Sequence, residues 1–393
     1  MDTMMLVWLL LAAVVGLVMM LVVVSIARGL DRGQPVTKPN LPPSLAKAFG
    51  LSTAATSTDH GAPKDGADKK KETKAMVSIV TSLAVVGGVI GVVSNLFDGD
   101  VEPVVSEISA GELRGTLVDT RDSDPVVLIV PGSGPTDRDG NGPLGLNTDA
   151  YKLLAEGLAE ERIATARIDK RGMFGSAAAG DPNAVTPETY VADIHAWIDA
   201  IKAERGSDCV FLLGHSEGAL MVSLAAQGRE DVCGLILVAG VGRKMGDVLR
   251  QQLRDNPANA PLLDQALAAL SELEAGRRVD TTNMHPALLS LFAPQVQDYL
   301  MSVLTIDPVD AVHRANKETL ILQGKTDLQV SVDDARRLNK ARKTKLQLID
   351  GMNHVLKEAP ADRAANLATY ADPSLPLAPR LVSRIEDFVE DND

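Results

Sequence analysis

The sequence predicts an α/β protein in which a mainly parallel sheet is covered by helices on both faces, preceded by two segments able to cross a membrane. Three observations predict this. From about residue 104 onward, short apolar runs alternate with stretches of helical spacing, the order expected of strand–helix–strand units. The runs, such as "PVVLIVPG" and "CVFLLG", are apolar throughout, as in strands buried on both faces. The first hundred residues differ in kind: two uncharged apolar runs flank a basic, polar stretch.

The first run, Met4 to Val24, holds 21 consecutive apolar residues. As a helix it would span about 32 Å, close to the hydrocarbon thickness of a bilayer. A cleaved signal peptide would need a basic leader and a shorter core, whereas here "MDT" precedes the run. An uncleaved span over residues 1–27 is expected. A second, weaker run, Met76 to Phe97, follows "KKKETK" and precedes "DGDVE". A buried core helix is its alternative, but the flanking charges favour a second span over 76–97. Residues 28–75 carry nine Lys/Arg against five Asp/Glu, a net of +4. Basic loops stay on the cytoplasmic side, so 28–75 is expected inside the cell as a disordered linker, with everything after about residue 98 outside. Gly87 and Gly91 form a G-x-x-x-G pair that would let two such helices approach closely, a weak basis for self-association.

The 393-residue chain has a net charge of −13, and residues 98–393 account for −16. With aromatics at 3% there is neither a basic face nor a stacking platform for nucleic acid. Two cysteines, Cys209 and Cys233, are too few for a cysteine-built metal site. Each stands at the start of an apolar strand. A disulfide is open if the strands are neighbours outside the cytoplasm, but adjacent-strand geometry disfavours bridging, so two buried free thiols are expected.

In the soluble part the expected strands are "ELRGTLVD", "PVVLIVPG", "IATARIDKRG", "CVFLLG", "CGLILVAG", "ETLILQG" and "KLQLIDG". The expected helices include "TDAYKLLAEGLAEE", "ETYVADIHAWIDAIKAE", "EGALMVSLAAQG", "DDARRLNKAR" and a closing one around "PLAPRLVSRIEDFVE". Ligands of such sheets bind beyond the carboxyl ends of the strands.

One of those ends reads "LLGHSEGAL". A strand stopping there and a helix starting there must turn sharply at Ser216, and Gly214 and Gly218 remove the Cβ atoms the turn would force together. The serine hydroxyl is then exposed, which suits a nucleophile. Of the six histidines, His60 lies in the linker, His195 and His313 in expected helices, and His285 in a helix-rich stretch; His215, beside the serine, should point elsewhere. His354 in "GMNH" follows the last strand and is the candidate base. Asp327 in "GKTDLQV" is the best-placed acid to orient it, with Asp307, Asp310 and Asp350 as rivals. An oxyanion would be met by the backbone N–H groups of Glu217 and of Ser133, in the loop after "VVLIVPG". That loop, "GSGPTDRDGNG", imitates half a calcium site at Asp137, Asp139 and Asn141, but Thr148 stands where a bidentate Glu is needed. It has no P-loop Lys-Ser/Thr either.

These residues, in the order Ser216, Asp327, His354, together with "RIDKRGMFGS", "GKTDLQV" and "GMNH", resemble the α/β-hydrolase superfamily over roughly 104–390. The "GSGPTDRDGN" loop resembles a bacterial esterase-like branch of it. The resemblance implies the α/β-hydrolase fold, Ser216 as nucleophile, Asp327 as acid and His354 as base. Pro131–Gly132 replaces the His-Gly common in the superfamily, which keeps the N–H of the following residue for the oxyanion. Residues of about 242–312 occupy the place of the superfamily's cap and are expected to form helices over an acyl pocket.

The expected function is that of a membrane-anchored serine esterase, acting on small-molecule or lipid-like esters outside the cytoplasmic membrane and needing no metal or cofactor. Peptide or amide hydrolysis, or acyl transfer, would use the same residues. A non-catalytic binding module is the alternative of another kind.

Overall fold

The computed structural model describes residues 102–393, apart from 121–124, 144 and 256. The two expected spans, the linker between them and the Gly87/Gly91 pair lie outside the described residues. Among the described residues no helix is long and apolar enough to cross a membrane.

Strands β1 (Val104–Ala110) and β2 (Leu113–Asp119) form an antiparallel hairpin, and β2 pairs antiparallel with β4 (Ala164–Ile168). The remaining strands, β3 (Val126–Val130), β5 (Val210–His215), β6 (Val232–Val238), β7 (Thr319–Gly324) and β8 (Thr344–Ile349), run parallel with β4 and with one another. Across the sheet the order is β1-β2-β4-β3-β5-β6-β7-β8. This is the α/β-hydrolase fold. The hairpin strand β1 is absent from the sequence expectation, because it lies on the sheet edge with most of its residues exposed and so lacks a continuous apolar run.

Alternation along the strands feeds two cores. In β3, Val126, Leu128 and Val130 pack on one face of the sheet, while Val127 and Ile129 pack on the other. The first face is covered by α2 (Pro187–Arg205), through Ile194, Trp197, Ile198 and Ile201, and by α3 (Glu217–Ala225). The second is covered by α1 (Ala150–Glu160) and by a C-terminal helix (Leu381–Glu390). Burial on both faces is why the central strands carry no polar alternation.

Between β6 and β7 lie the helices α4 (Met245–Asp255), α5 (Leu263–Glu274), α6 (Pro286–Phe292), α7 (Gln297–Val303) and α8 (Pro308–Ala315). Leu253, Leu270, Leu273, Phe292 and Leu304 gather into a separate apolar cluster. These helices fall in the stretch of about 242–312 where a cap is expected. Ala311, Val312 and Ala315 of α8 join the main core, so the separate cluster ends near Leu304. After β7 come α9 (Val332–Leu338), α10 (Arg363–Ala368) and the closing helix, α11.

The expectation of free thiols is corrected. Cys209 and Cys233 form a disulfide, with Cα atoms 5.4 Å apart, inside the usual range. Cys209 stands one residue ahead of β5, and the β5–β6 register shifts between Val210 and Leu212. That irregularity releases the pair from the regular adjacent-strand geometry on which the expectation rested. Both residues are half-buried, outside the core proper.

Candidate active site

Ser216 joins β5 to α3 at φ 56°, ψ −119°, a conformation that costs a non-glycine residue about 1–3 kcal/mol. The two glycines make the turn possible. A Cβ on Gly214 would lie 2.3 Å from the Gly218 carbonyl oxygen, and one on Gly218 would lie 2.5 Å from that of Val130. Helix α3 therefore starts hard against the ends of β3 and β5, with Ser216 half-exposed above them.

Two other strand ends supply a buried acid–imidazole pair. Asp327 follows β7, and its Oδ2 accepts a hydrogen bond from His354 Nδ1 at 2.9 Å. The same oxygen accepts from Gln323 Nε2 at 3.1 Å, and Oδ1 accepts the backbone N–H groups of Gln329 and Val330 at 2.7 and 2.9 Å. Burial opposes ionisation of this carboxyl. The neighbouring His354 and the two backbone donors outweigh burial and hold its pKa below the ordinary aspartate value. With its proton held on Nδ1, the His354 ring keeps Nε2 as its basic nitrogen.

The rival acids are engaged elsewhere. Asp307 caps α8, Asp310 pairs with Arg314 on the same helix, and Asp350 forms an exposed pair with Lys325. His195 bonds the Ala225 carbonyl and His285 caps α6.

His215 is buried, with both ring nitrogens engaged by groups other than Ser216. Its Nε2 donates to the His354 carbonyl oxygen at 2.8 Å, and its Nδ1 accepts from the Tyr151 hydroxyl at 2.7 Å. Tyr151 in turn receives the Gly132 N–H at 3.4 Å. Burial, and then the nearby His354, lower the His215 pKa to about 3, which leaves the ring neutral and suited to this donor–acceptor role. Asn353 anchors the same loop: its Oδ1 accepts the Lys357 N–H at 3.0 Å, and its Nδ2 donates to Thr369 at 2.7 Å.

Ser133 and Glu217, expected to meet an oxyanion, lie in segments that adjoin Ser216. A Cβ on Gly132 would lie 3.0 Å from Ser216 Cβ, so the loop carrying Ser133 runs directly beside the serine. Glu217 opens α3, where backbone N–H groups have no helical partner. The polar side chains of the "GSGPTDRDGNG" loop serve its own shape. Asp137 Oδ1 accepts the N–H groups of Asp139 and Asn141 at 2.9 and 2.8 Å, Arg138 grips Asp169 through Nε at 2.8 Å, and Asp139 pairs with Arg167. Asn141 Oδ1 accepts the N–H groups of Thr148 and Asp149.

Sequence reasoning missed Gln323, Tyr151 and Lys170. Gln323 had a signal, a lone amide inside the apolar strand "LILQG". Tyr151 and Lys170 had none, since each acts through a partner distant in the chain. Lys170 Nζ, buried behind the loop, donates to the carbonyl oxygens of Gly132 and Gly134 at 2.6 and 2.7 Å.

A strained serine elbow and a buried carboxylate–imidazole pair, at neighbouring ends of one parallel sheet, can together perform nucleophilic acyl chemistry. Residues 144–290 match the family described as serine aminopeptidase, S33. The match takes in Ser216 and most of the helical insertion and stops before Asp327 and His354. The chain is an enzyme, a hydrolase of the serine hydrolase class. No curated sequence matches it. Among solved structures it is similar to Est1E from Butyrivibrio proteoclasticus with ferulic acid bound, at 19% identity over 73% of this chain and 98% of that one, TM-score 0.46. It is also similar to the α/β hydrolase GrgF from Penicillium sp. sh18, at 18% over 74% and 99%, TM-score 0.47. A third is an esterase of Pyrococcus furiosus, at 16% over 74% and 91%, TM-score 0.46.

Proposed function

We propose that the chain is a membrane-anchored carboxylesterase of the bacterial branch that carries the "GSGPTDRDGN" loop, with Ser216, Asp327 and His354 as its triad. The observation that carries the reading is the Asp327–His354 hydrogen bond of 2.9 Å beside the serine elbow. His354 Nε2 takes the Ser216 proton as Oγ attacks the ester carbonyl, and the oxyanion is met by the N–H groups of Ser133 and Glu217. The alcohol leaves with that proton, and water activated by His354 then releases the acid. The insertion over the sheet acts as the cap that shapes the acyl pocket.

The proposed setting is the cytoplasmic membrane, with the enzyme domain on its outer face. The apolar runs Met4–Val24 and Met76–Phe97 and the basic stretch between them support this. The Cys209–Cys233 disulfide supports it independently, since disulfides persist in oxidising compartments.

A second reading, amide hydrolysis from a peptide N-terminus, is favoured by the description of the matched family. Ester cleavage is preferred because Glu217, the carboxyl nearest the serine in the chain, is buried rather than open to a substrate ammonium.

The test is fluorophosphonate labelling of the detergent-solubilised full chain, with turnover of p-nitrophenyl esters compared with aminoacyl p-nitroanilides. Labelling that disappears in Ser216→Ala, with ester turnover well above anilide turnover, is the expected result. Preferential anilide turnover would move the reading to the aminopeptidase. A folded but unlabelled wild type would overturn both.

A further inference from the structure

The peptide joining Gly132 to Ser133 has two ends with different neighbours. Its N–H end belongs to Ser133, in the loop beside Ser216. At its carbonyl end, the Gly132 oxygen accepts a hydrogen bond from Lys170 Nζ at 2.6 Å. The chain has no cis peptide bond among the described residues, so these two ends point in opposite directions. The same ammonium also takes the Gly134 carbonyl oxygen, at 2.7 Å. One cation therefore holds two carbonyls of the loop, those on either side of Ser133. It also adds its field to the dipole of the Gly132–Ser133 peptide, in the loop that runs beside the serine.

We propose that Lys170 is a positioning residue for the oxyanion site, its ammonium orienting and polarising the Gly132–Ser133 peptide so that the Ser133 N–H meets the charge developing on the substrate oxygen. This rests on the serine-hydrolase reading above and adds to it the source of that donor's strength. An isolated buried ammonium is costly, and a lysine is held in such a place only where its donors are taken up. Here they are taken up by loop carbonyls. Burial raises the Glu217 pKa and Lys170 opposes that shift, so the two groups favour each other's charge, and Glu217 is the residue whose own N–H is the second proposed oxyanion donor.

The groups around Lys170 leave it the one whose charge can change the loop. Glu217 faces it from α3, and the Tyr190 ring of α2 lies 6.0 Å from its nitrogen. Asp193 of α2 is paired with Arg171, and Asp169 with Arg138. Tyr299 of α7 packs edge-on against Tyr190, ring centroids 6.0 Å apart, and its hydroxyl is held in the neutral form by burial and by Glu217. Burial lowers the Lys170 pKa to about 8, with Glu217 opposing the shift. Loss of its proton would cost the peptide both the cation and one donor.

The experiment measures kcat and KM for a p-nitrophenyl ester from pH 6 to 10 in the full-length wild type, Lys170→Met, Lys170→Arg and Glu217→Gln. Rates are expressed per fluorophosphonate-labelled Ser216, and thermal melting checks folding. The wild type is expected to lose kcat on the alkaline side. Lys170→Met should have kcat lower by about tenfold or more with KM within about twofold, since an oxyanion donor acts on the transition state, and its alkaline fall should vanish. Lys170→Arg keeps its charge throughout and should carry activity to higher pH. Glu217→Gln should move the alkaline fall to lower pH. A merely structural lysine would change melting and labelled fraction while leaving kcat per labelled serine and the pH profile as in wild type, and that result would overturn the proposal. Should Lys170→Met not fold, the profiles of Lys170→Arg and Glu217→Gln decide: an alkaline limb unmoved in both overturns it. A wild type that neither hydrolyses ester nor labels removes the serine-hydrolase reading itself, which is a distinct outcome.

Discussion

His215 Nε2 donates to the His354 carbonyl oxygen at 2.8 Å, so the residue preceding the serine holds the backbone of the loop that carries the imidazole. The bond defines the His215 tautomer, because a carbonyl can only accept. Nδ1 is then left to accept from Tyr151. Through Tyr151 and the Gly132 N–H, the serine elbow, the histidine loop and the loop that carries Ser133 share one hydrogen-bond path. In His215→Phe the His354 carbonyl and the Tyr151 hydroxyl lose their partner while the volume is kept. The expected cost is about 1–3 kcal/mol of stability for each group left unsatisfied, together with a fall in kcat. Urea titration and ester kinetics measure the two. A variant as stable and as active as wild type would show that the path does not hold the loop.

The same histidine makes stability depend on acid. Its folded pKa, about 3, lies below its ordinary value of 6.5. Between those values the unfolded chain binds a proton that the folded chain does not, so stability falls as pH drops from about 6.5 toward 3. The slope is at most about 1.4 kcal/mol per pH unit from this group. Urea unfolding at pH 7, 6, 5 and 4 should show the decline, and His215→Gln should flatten it. Parallel curves for the two proteins would argue against a buried neutral His215.

Asp327→Asn should lower kcat by about 10³–10⁴-fold with little change in KM, because the amide no longer stabilises the imidazolium or selects its tautomer. Gln323→Leu removes one of four donors to that carboxylate and should have a much smaller effect. Kinetics of the two variants side by side check the ranking; an Asp327→Asn enzyme with more than a tenth of wild-type kcat would remove Asp327 from the orienting role.

The disulfide closes a loop of 24 residues, and constraint of the unfolded chain by such a loop is worth about 3 kcal/mol. Cys209→Ser should therefore melt several degrees below wild type in scanning calorimetry. A reductant should lower the wild-type melting temperature toward that of the variant and leave the variant unchanged. No difference between them under oxidising conditions would mean that the cysteines are not bridged.

The turn at Ser216 should tolerate no side chain at Gly214, where a Cβ would overlap the Gly218 carbonyl at 2.3 Å. Gly214→Ala is expected to lose several-fold or more of fluorophosphonate labelling and to unfold at lower denaturant, while Gly206→Ala, whose Cβ meets nothing within 4 Å although its φ is +70°, should keep labelling. Equal labelling in the two variants would contradict the elbow geometry.

Features that depend on neighbours in the chain are legible in the sequence. Strands buried on both faces must be continuously apolar, so β3, β5, β6 and β7 are legible from "VVLIV", "VFLLGH", "VCGLILV" and "TLILQG". The elbow is legible because a strained turn needs its glycines at fixed spacing around Ser216. Asp327 and His354 are legible because each follows a strand whose carboxyl end must face the site. Tertiary structure alone decided the rest, because the deciding contacts join residues far apart in the chain. The edge strand β1 takes its place from pairing with β2 rather than from an apolar run. The bridge between Cys209 and Cys233 depends on a register shift between β5 and β6. His215 meets His354 across 139 positions, and Lys170 reaches the Gly132 carbonyl across 38. No local pattern encodes such contacts: they arise only when packing brings four strand ends to one edge and leaves buried polar groups to satisfy one another there.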